Sequence, residues 1–141
     1  MNRLFFKALL FLVILALNFG CASTQTKDDS LNKKLLLGAW EKTVVSNDQT
    51  KKIVMIFHDD GTFTIQGKVT AKNGAQRDIN AEGTWTVDNN YLTEVVTKSN
   101  FAKPGTKSTD KILQLSEEEY VYQDESGKQQ TYKKASTSQE K

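Results

Sequence analysis

The chain has 141 residues, of which 38% are hydrophobic, and that length gives room for one domain with one core. Setting aside Arg3 and Lys7, which lie in an apolar amino-terminal segment, leaves 17 of the 19 basic residues against 17 acidic ones, a neutral balance that argues against nucleic-acid binding by bulk electrostatics. The single cysteine, Cys21, excludes an internal disulfide and a Cys-rich metal site.

Met1 to Lys7 carries two positive charges, Ala8 to Leu17 is an unbroken apolar run, and Asn18-Phe19-Gly20-Cys21-Ala22-Ser23 brings small residues. This is the anatomy of a secretory signal peptide, and the run is shorter than the ~20 residues a membrane span needs. At Gly20-Cys21 the segment resembles a bacterial lipoprotein signal, in which the peptidase cuts before a cysteine that becomes lipid-modified. The resemblance implies that residues 1–20 are removed and that Cys21 carries palmitate-type acyl chains holding the protein to a membrane. With Ala22 and not aspartate next, it implies an outer-membrane address facing the periplasm in the cell envelope. Asn18 and Phe19 depart from the usual residues at their positions, which leaves ordinary cleavage after Ala22 as the alternative.

Residues 21–34 are polar, with almost nothing to bury, and read as a flexible tether in which Ser30 can cap a short helical turn through Leu36. Gly38 to Val45 opens the first strand, and Ser46 to Thr50 is a loop. Ile53-Val54-Met55-Ile56-Phe57 and Thr62-Phe63-Thr64-Ile65 flank a turn at Asp59-Asp60-Gly61, where Gly61 supplies positive φ and the aspartates bond the turn's backbone. Asn73-Gly74 marks a second hairpin. The next strand has the clearest alternation, with Ile79, Ala81, Gly83, Trp85 and Val87 on one side and Asp78, Asn80, Glu82, Thr84 and Thr86 on the other, a core face and a water face. Tyr91 to Thr97 follows, then a loop from Lys98 to Asp110 with the only proline, Pro104. Three short strands, Lys111 to Leu115, Glu119 to Gln123 and Gln129 to Lys133, complete a set of eight, and residues 135–141 are read as a disordered tail. Hairpin after hairpin predicts an all-β fold, a small antiparallel eight-stranded up-and-down barrel over residues 35–134.

Leu35-Leu36-Leu37-Gly38-Ala39-Trp40, Phe57-His58-Asp59-Asp60-Gly61-Thr62-Phe63, Gly83-Thr84-Trp85-Thr86-Val87 and the closing Thr131-Tyr132-Lys133-Lys134 together resemble the lipocalin-like domains of bacterial lipoproteins. The resemblance implies that Trp40 packs across one barrel end, with Trp85 also in barrel-end packing, and that Lys133 or Lys134 stands where larger lipocalins stack an arginine on the tryptophan.

His58 with Asp59 and Asp60 suggests a metal or acid-base cluster, but aspartates at a hairpin serve the turn itself, and no nucleotide-binding motif is present. No catalytic residue, metal site or cofactor is therefore expected. The strand Ile53-Val54-Met55-Ile56-Phe57 is apolar on both faces, which makes it, with the Lys98 to Asp110 loop, the candidate interaction surface. Strands of five to eight residues imply a shallow barrel filled by Trp40, Met55, Phe63, Ile79 and Trp85. The functional reading is a membrane-anchored, non-enzymatic module that meets another envelope protein through its outer surface. The alternative is binding or carriage of a small apolar ligand inside the barrel.

Overall fold

The computed structural model describes residues 29–136; the expected signal peptide, Cys21, the first part of the expected tether and residues 137–141 lie outside the described residues. Helix α1 (Asp29–Leu36) precedes β1 (Gly38–Val45), β2 (Gln49–Phe57), β3 (Thr62–Ala71), β4 (Gln76–Asp88), β5 (Tyr91–Ser99), β6 (Lys107–Leu115), β7 (Glu119–Gln123) and β8 (Gln129–Lys134). Each strand pairs antiparallel with the next, and β8 returns to β1, so the sheet closes as the eight-stranded up-and-down barrel expected from the strand and turn pattern. The closing seam is short. Trp40 lies opposite Lys134 and Glu41 opposite Lys133, and Ala135 N donates to Ala39 O at 2.9 Å.

The turns follow from their residues. Between β2 and β3, Gly61 has φ of 81°, and the Asp60 carboxylate accepts from Thr62 N at 2.9 Å and Thr62 Oγ1 at 2.6 Å. Between β4 and β5, Asn89 and Asn90 both take left-handed φ, 50° and 61°, the two-residue geometry that matches strand twist and that asparagine tolerates. β4 alternates as its sequence dictates, with Ile79, Ala81, Gly83, Trp85 and Val87 buried and the intervening residues exposed. At Gly83 a Cβ would stand 2.2 Å from Val95 O and 2.5 Å from Phe63, so only glycine lets the strands approach at the bulge beside it.

Several elements extend further than their hydrophobic pattern suggests. The Lys98 to Asp110 loop shrinks to residues 100–106, because Lys107 to Lys111 pairs with Val95 to Tyr91 although it lacks apolar alternation. β2 begins at Gln49 and β3 runs unbroken to Ala71, so β2 to β6 have nine to thirteen residues each and the barrel is deeper than strands of five to eight would make it. The end of the tether is also structured. α1 starts at Asp29, whose carboxylate accepts from Asn89 N at 2.8 Å and Asn90 N at 3.1 Å, while Asn32 Nδ2 donates to Asn90 Oδ1 at 2.9 Å. Leu36, the last residue of the helix, is fully buried.

The helix end of the barrel is apolar and aromatic. Trp40 is fully buried, its Nε1 donates to Leu36 O at 2.6 Å, and its ring meets Tyr120 edge-on at 6.1 Å. Phe57 and Trp85 meet edge-on at 5.3 Å, and Trp85 Nε1 donates to His58 O at 3.1 Å. The Lys134 ammonium lies 4.2 Å from the centre of the Trp40 ring and donates to Leu37 O. Burial of each large apolar side chain here is worth about 1.5–3 kcal/mol, and every indole N–H is satisfied.

Candidate ligand-binding site

One layer in from that end, alternation along β1, β5, β6, β7 and β8 turns charged and polar side chains into the barrel. Lys42 follows Trp40 on the inward face of β1, and Glu94 follows Leu92 on β5. Ser108 and Asp110 precede Ile112 on β6, while Tyr120 and Tyr122 come from β7 and Gln130 and Tyr132 from β8. Ile53 and Ile65 complete the apolar side. Lys42, Ser108, Asp110 and Gln130 are half-buried, whereas Glu94 and Tyr120 are buried, so the cluster grades from partly solvated to dry.

The tyrosines form a wall. Tyr120 and Tyr122 stack at 5.0 Å, Tyr122 and Tyr132 at 5.9 Å, and Tyr120 and Tyr132 at 6.2 Å between ring centres. Lys42 Nζ donates to Tyr122 Oη at 3.0 Å and Gln130 Oε1 at 3.4 Å, and lies 4.5 Å from the centre of the Tyr132 ring. Glu94 Oε2 accepts from Ser108 Oγ at 3.3 Å, but its Oε1 and the Tyr120 hydroxyl are buried with no partner. Native interiors rarely leave such groups unmatched, because each forfeits its hydration without replacement.

Burial pushes the Glu94 carboxyl up to about 7, with the neighbouring Asp110 charge adding to the shift. Asp110 is pushed up to about 6, first by burial and then by Asp124 and Glu125. Burial lowers the Lys42 ammonium and raises all three phenols. The chamber therefore holds two carboxyls whose charge changes near neutrality, an engaged ammonium and an aromatic wall. Donors and acceptors thus lie in one layer over a packed apolar floor.

The residues singled out from sequence lie elsewhere. Trp40 and Trp85 belong to the packed helix end. Of the candidate interaction surface, Met55 and Phe57 are in the core and Ile53 packs against it, which leaves Val54 and Ile56 to face outward. Val54 lines an outer depression of about 710 Å³ across β8, β1, β2 and β3, with Glu41, Lys52, Gln66, Lys68 and Lys133 around it. There Lys52 and Lys68 stand directly opposite each other, a like-charge apposition that costs stability. His58 lies at the β2–β3 turn, and the Asp60 carboxylate is committed to Thr62. Among the described residues, no group of three or more His, Cys, Asp or Glu is placed to hold a metal. The polar chamber itself left a faint sequence signal, single charged residues at Lys42 and Glu94 in register with Trp40 and Leu92.

An eight-stranded up-and-down barrel of this kind is a lipocalin-like architecture. The chain is similar in structure to a lipocalin-like protein from Bacteroides uniformis, with a TM-score of 0.48 and 18% sequence identity over 72% of this chain and 99% of that one. No family model and no curated protein matches the chain.

Proposed function

We propose that this protein is a non-enzymatic, lipid-anchored binding barrel of the bacterial outer membrane, and that its ligand is a small molecule taken into the polar chamber. The observation that carries the reading is the pair of buried, unpartnered atoms, Glu94 Oε1 and Tyr120 Oη, beside Lys42, Ser108, Asp110 and Gln130, which are half-solvated. The longer strands also support it, since they give the barrel depth above its aromatic floor. Anchoring rests on the leader and Cys21: several acyl chains hold a protein stably at a membrane where one alone does not.

The full-length protein, purified gently from native membranes and denatured, should release a small molecule in stoichiometric amount detectable by mass spectrometry. Cys21→Ser should abolish palmitate labelling. Recovery of the protein empty, with a partner protein photo-crosslinked through position 54, would favour the second reading. That reading, an envelope protein seated on the outer depression, is supported by the Lys52 and Lys68 apposition, whose cost an acidic partner would relieve.

A further inference from the structure

The barrel wall is closed unevenly. Neighbouring strands elsewhere share four to nine residue pairs, whereas β1 and β8 share two, Trp40 with Lys134 and Glu41 with Lys133. Both strands run on past the end of their pairing, β1 to Val45 and β8 from Gln129. Ala39 O accepts from Ala135 N across this seam, and Lys134 N donates to Glu118 O on the other side of β8. In an antiparallel sheet both backbone groups of a residue point the same way and alternate along the strand, so Thr43 and Val45 of β1, and Gln129 and Thr131 of β8, turn theirs into the open seam. What bridges it is the Lys42 side chain, whose Nζ donates to Tyr122 Oη and Gln130 Oε1.

This stretch lacks the protection that sheet edges usually carry, charged side chains or proline. The inner face has one charge there, Lys42. The outer face along the open seam has none: Thr43, Val45, Gln129 and Thr131 are uncharged and three of them are β-branched. Val45 is 74% exposed, the most exposed large apolar side chain among the described residues. Outside, the seam borders the depression of about 710 Å³, which Thr43 and Thr131 share with Lys52 and Lys68. Those two lysines oppose each other and belong to neither ion pair among the described residues, Lys98 with Glu82 and Lys133 with Glu119.

We infer that the open seam is a strand-addition site, where an extended acidic segment of a partner protein pairs its backbone with Thr43 and Val45. The partner is that of the second reading above, on which this inference rests; the polar chamber plays no part. Main-chain hydrogen bonds supply the affinity of such an added strand, and its alternate side chains supply the choice of partner. Thr43 lies opposite Lys52 on β2, so an added strand would run about 10 Å from β2, a span that a glutamate and a lysine cover between them. Lys68, one strand further, adds to the positive field. An acidic outer face on the segment therefore relieves the lysine apposition, and β-branched residues on its inner face suit the strand.

The test uses the full-length protein in neutral detergent, with the capped heptapeptide Thr-Glu-Val-Glu-Val-Glu-Thr as probe and, as control, the same peptide N-methylated at its valines and glutamates. In the free protein, amide hydrogen exchange should be fast at Thr43 and Val45 and slow at Lys42 and Val44, which face β2. The probe should slow exchange at Thr43 and Val45 and bind about tenfold more tightly than its methylated form, which keeps the charge and loses the backbone donors. Thr43→Pro removes a seam-facing N–H and no bond of the β1–β2 ladder, so it should fold and lose the same affinity; if it does not fold, the methylated peptide still gives the comparison. Lys52→Glu should weaken binding and reduce its dependence on salt. Thr43 and Val45 protected in the free protein, equal binding of the two peptides, or binding of neither would overturn strand addition and leave a partner on the depression standing. If photo-crosslinking through position 54 also captures nothing, the second reading falls with it.

Discussion

The two halves of the barrel interior are built on opposite terms. At the helix end, Trp40, Phe57, Phe63, Trp85 and Leu92 are buried among one another, and each indole N–H has a carbonyl. One layer further in, Glu94 and Tyr120 are equally dry yet leave polar atoms unpaired, and Asp110 and Lys42 hold charge short of contact. The same strands supply both layers, two residues apart: Trp40 and Lys42 on β1, Leu92 and Glu94 on β5, Ile112 and Asp110 on β6. The lesson is that the helix end supplies the stability and the layer above it spends some. A local cost of that kind is what the ligand of the proposed function would offset.

The largest effect expected from the comparison is at the packed end. Trp85 is buried against Phe57, and its neighbour Thr84 is exposed on the other face of β4. Trp85→Ala should destabilise by about 3–5 kcal/mol in chemical denaturation, and Thr84→Ala by well under about 1 kcal/mol. Equal losses would mean that the helix end is not where the stability resides.

The second effect has the opposite sign. Glu94 is pushed up to about 7 in the folded barrel, above its unfolded value, so the folded state holds a proton that the unfolded chain releases. Its contribution is fully present below the unfolded pKa and is lost as pH rises toward and through 7, and Asp110 acts in the same direction up to about 6. Glu94→Gln should therefore stabilise the protein by about 2–3 kcal/mol at pH 8 and by little at pH 4. A Glu94→Gln protein that is less stable than wild type at pH 8 would show that the carboxylate is satisfied, and the contrast between the two layers would fail.

What could be read in advance divides along the same line. The turns at Asp59-Asp60-Gly61 and Asn73-Gly74, the alternation of β4 and the count of eight strands were legible because local geometry and a continuous apolar face specify them. The first half of β6 was not. Ser108 and Asp110 point inward where a core strand would carry aliphatic residues, so Lys107-Ser108-Thr109-Asp110 has the composition of a loop while its backbone pairs with β5. The chamber was hidden for the same reason. Hydrophobic periodicity reveals a buried face only where that face is apolar, and Glu94 among Leu92, Val95 and Val96 looks like a surface residue until the register is known. In the doubly apolar run Ile53 to Phe57, Met55 and Phe57 form part of the floor while Val54 and Ile56 stay on the outer face.

The smallest effect tests how the floor is sealed, through two adjacent lysines that the alternation of β8 sends to opposite sides. Lys133 reaches outward to Glu119 at 3.1 Å, an exposed pair of the kind that contributes little once solvent and salt screen it. Lys134 points inward, 4.2 Å above the Trp40 ring, with its ammonium on Leu37 O, and burial lowers its pKa. Lys133→Met should change stability by less than about 0.5 kcal/mol. Lys134→Met loses a cation–π contact worth about 0.5–1 kcal/mol and leaves Leu37 O to water, while its methylene stem still covers the ring, so the net cost should stay near 1 kcal/mol. Trp40 fluorescence separates the two, because Lys134→Met changes the charge over its ring and Lys133→Met does not. Identical stabilities and identical Trp40 emission in both variants would show that Lys134 does not seat on the tryptophan, and that the helix end is held by its aromatic packing alone.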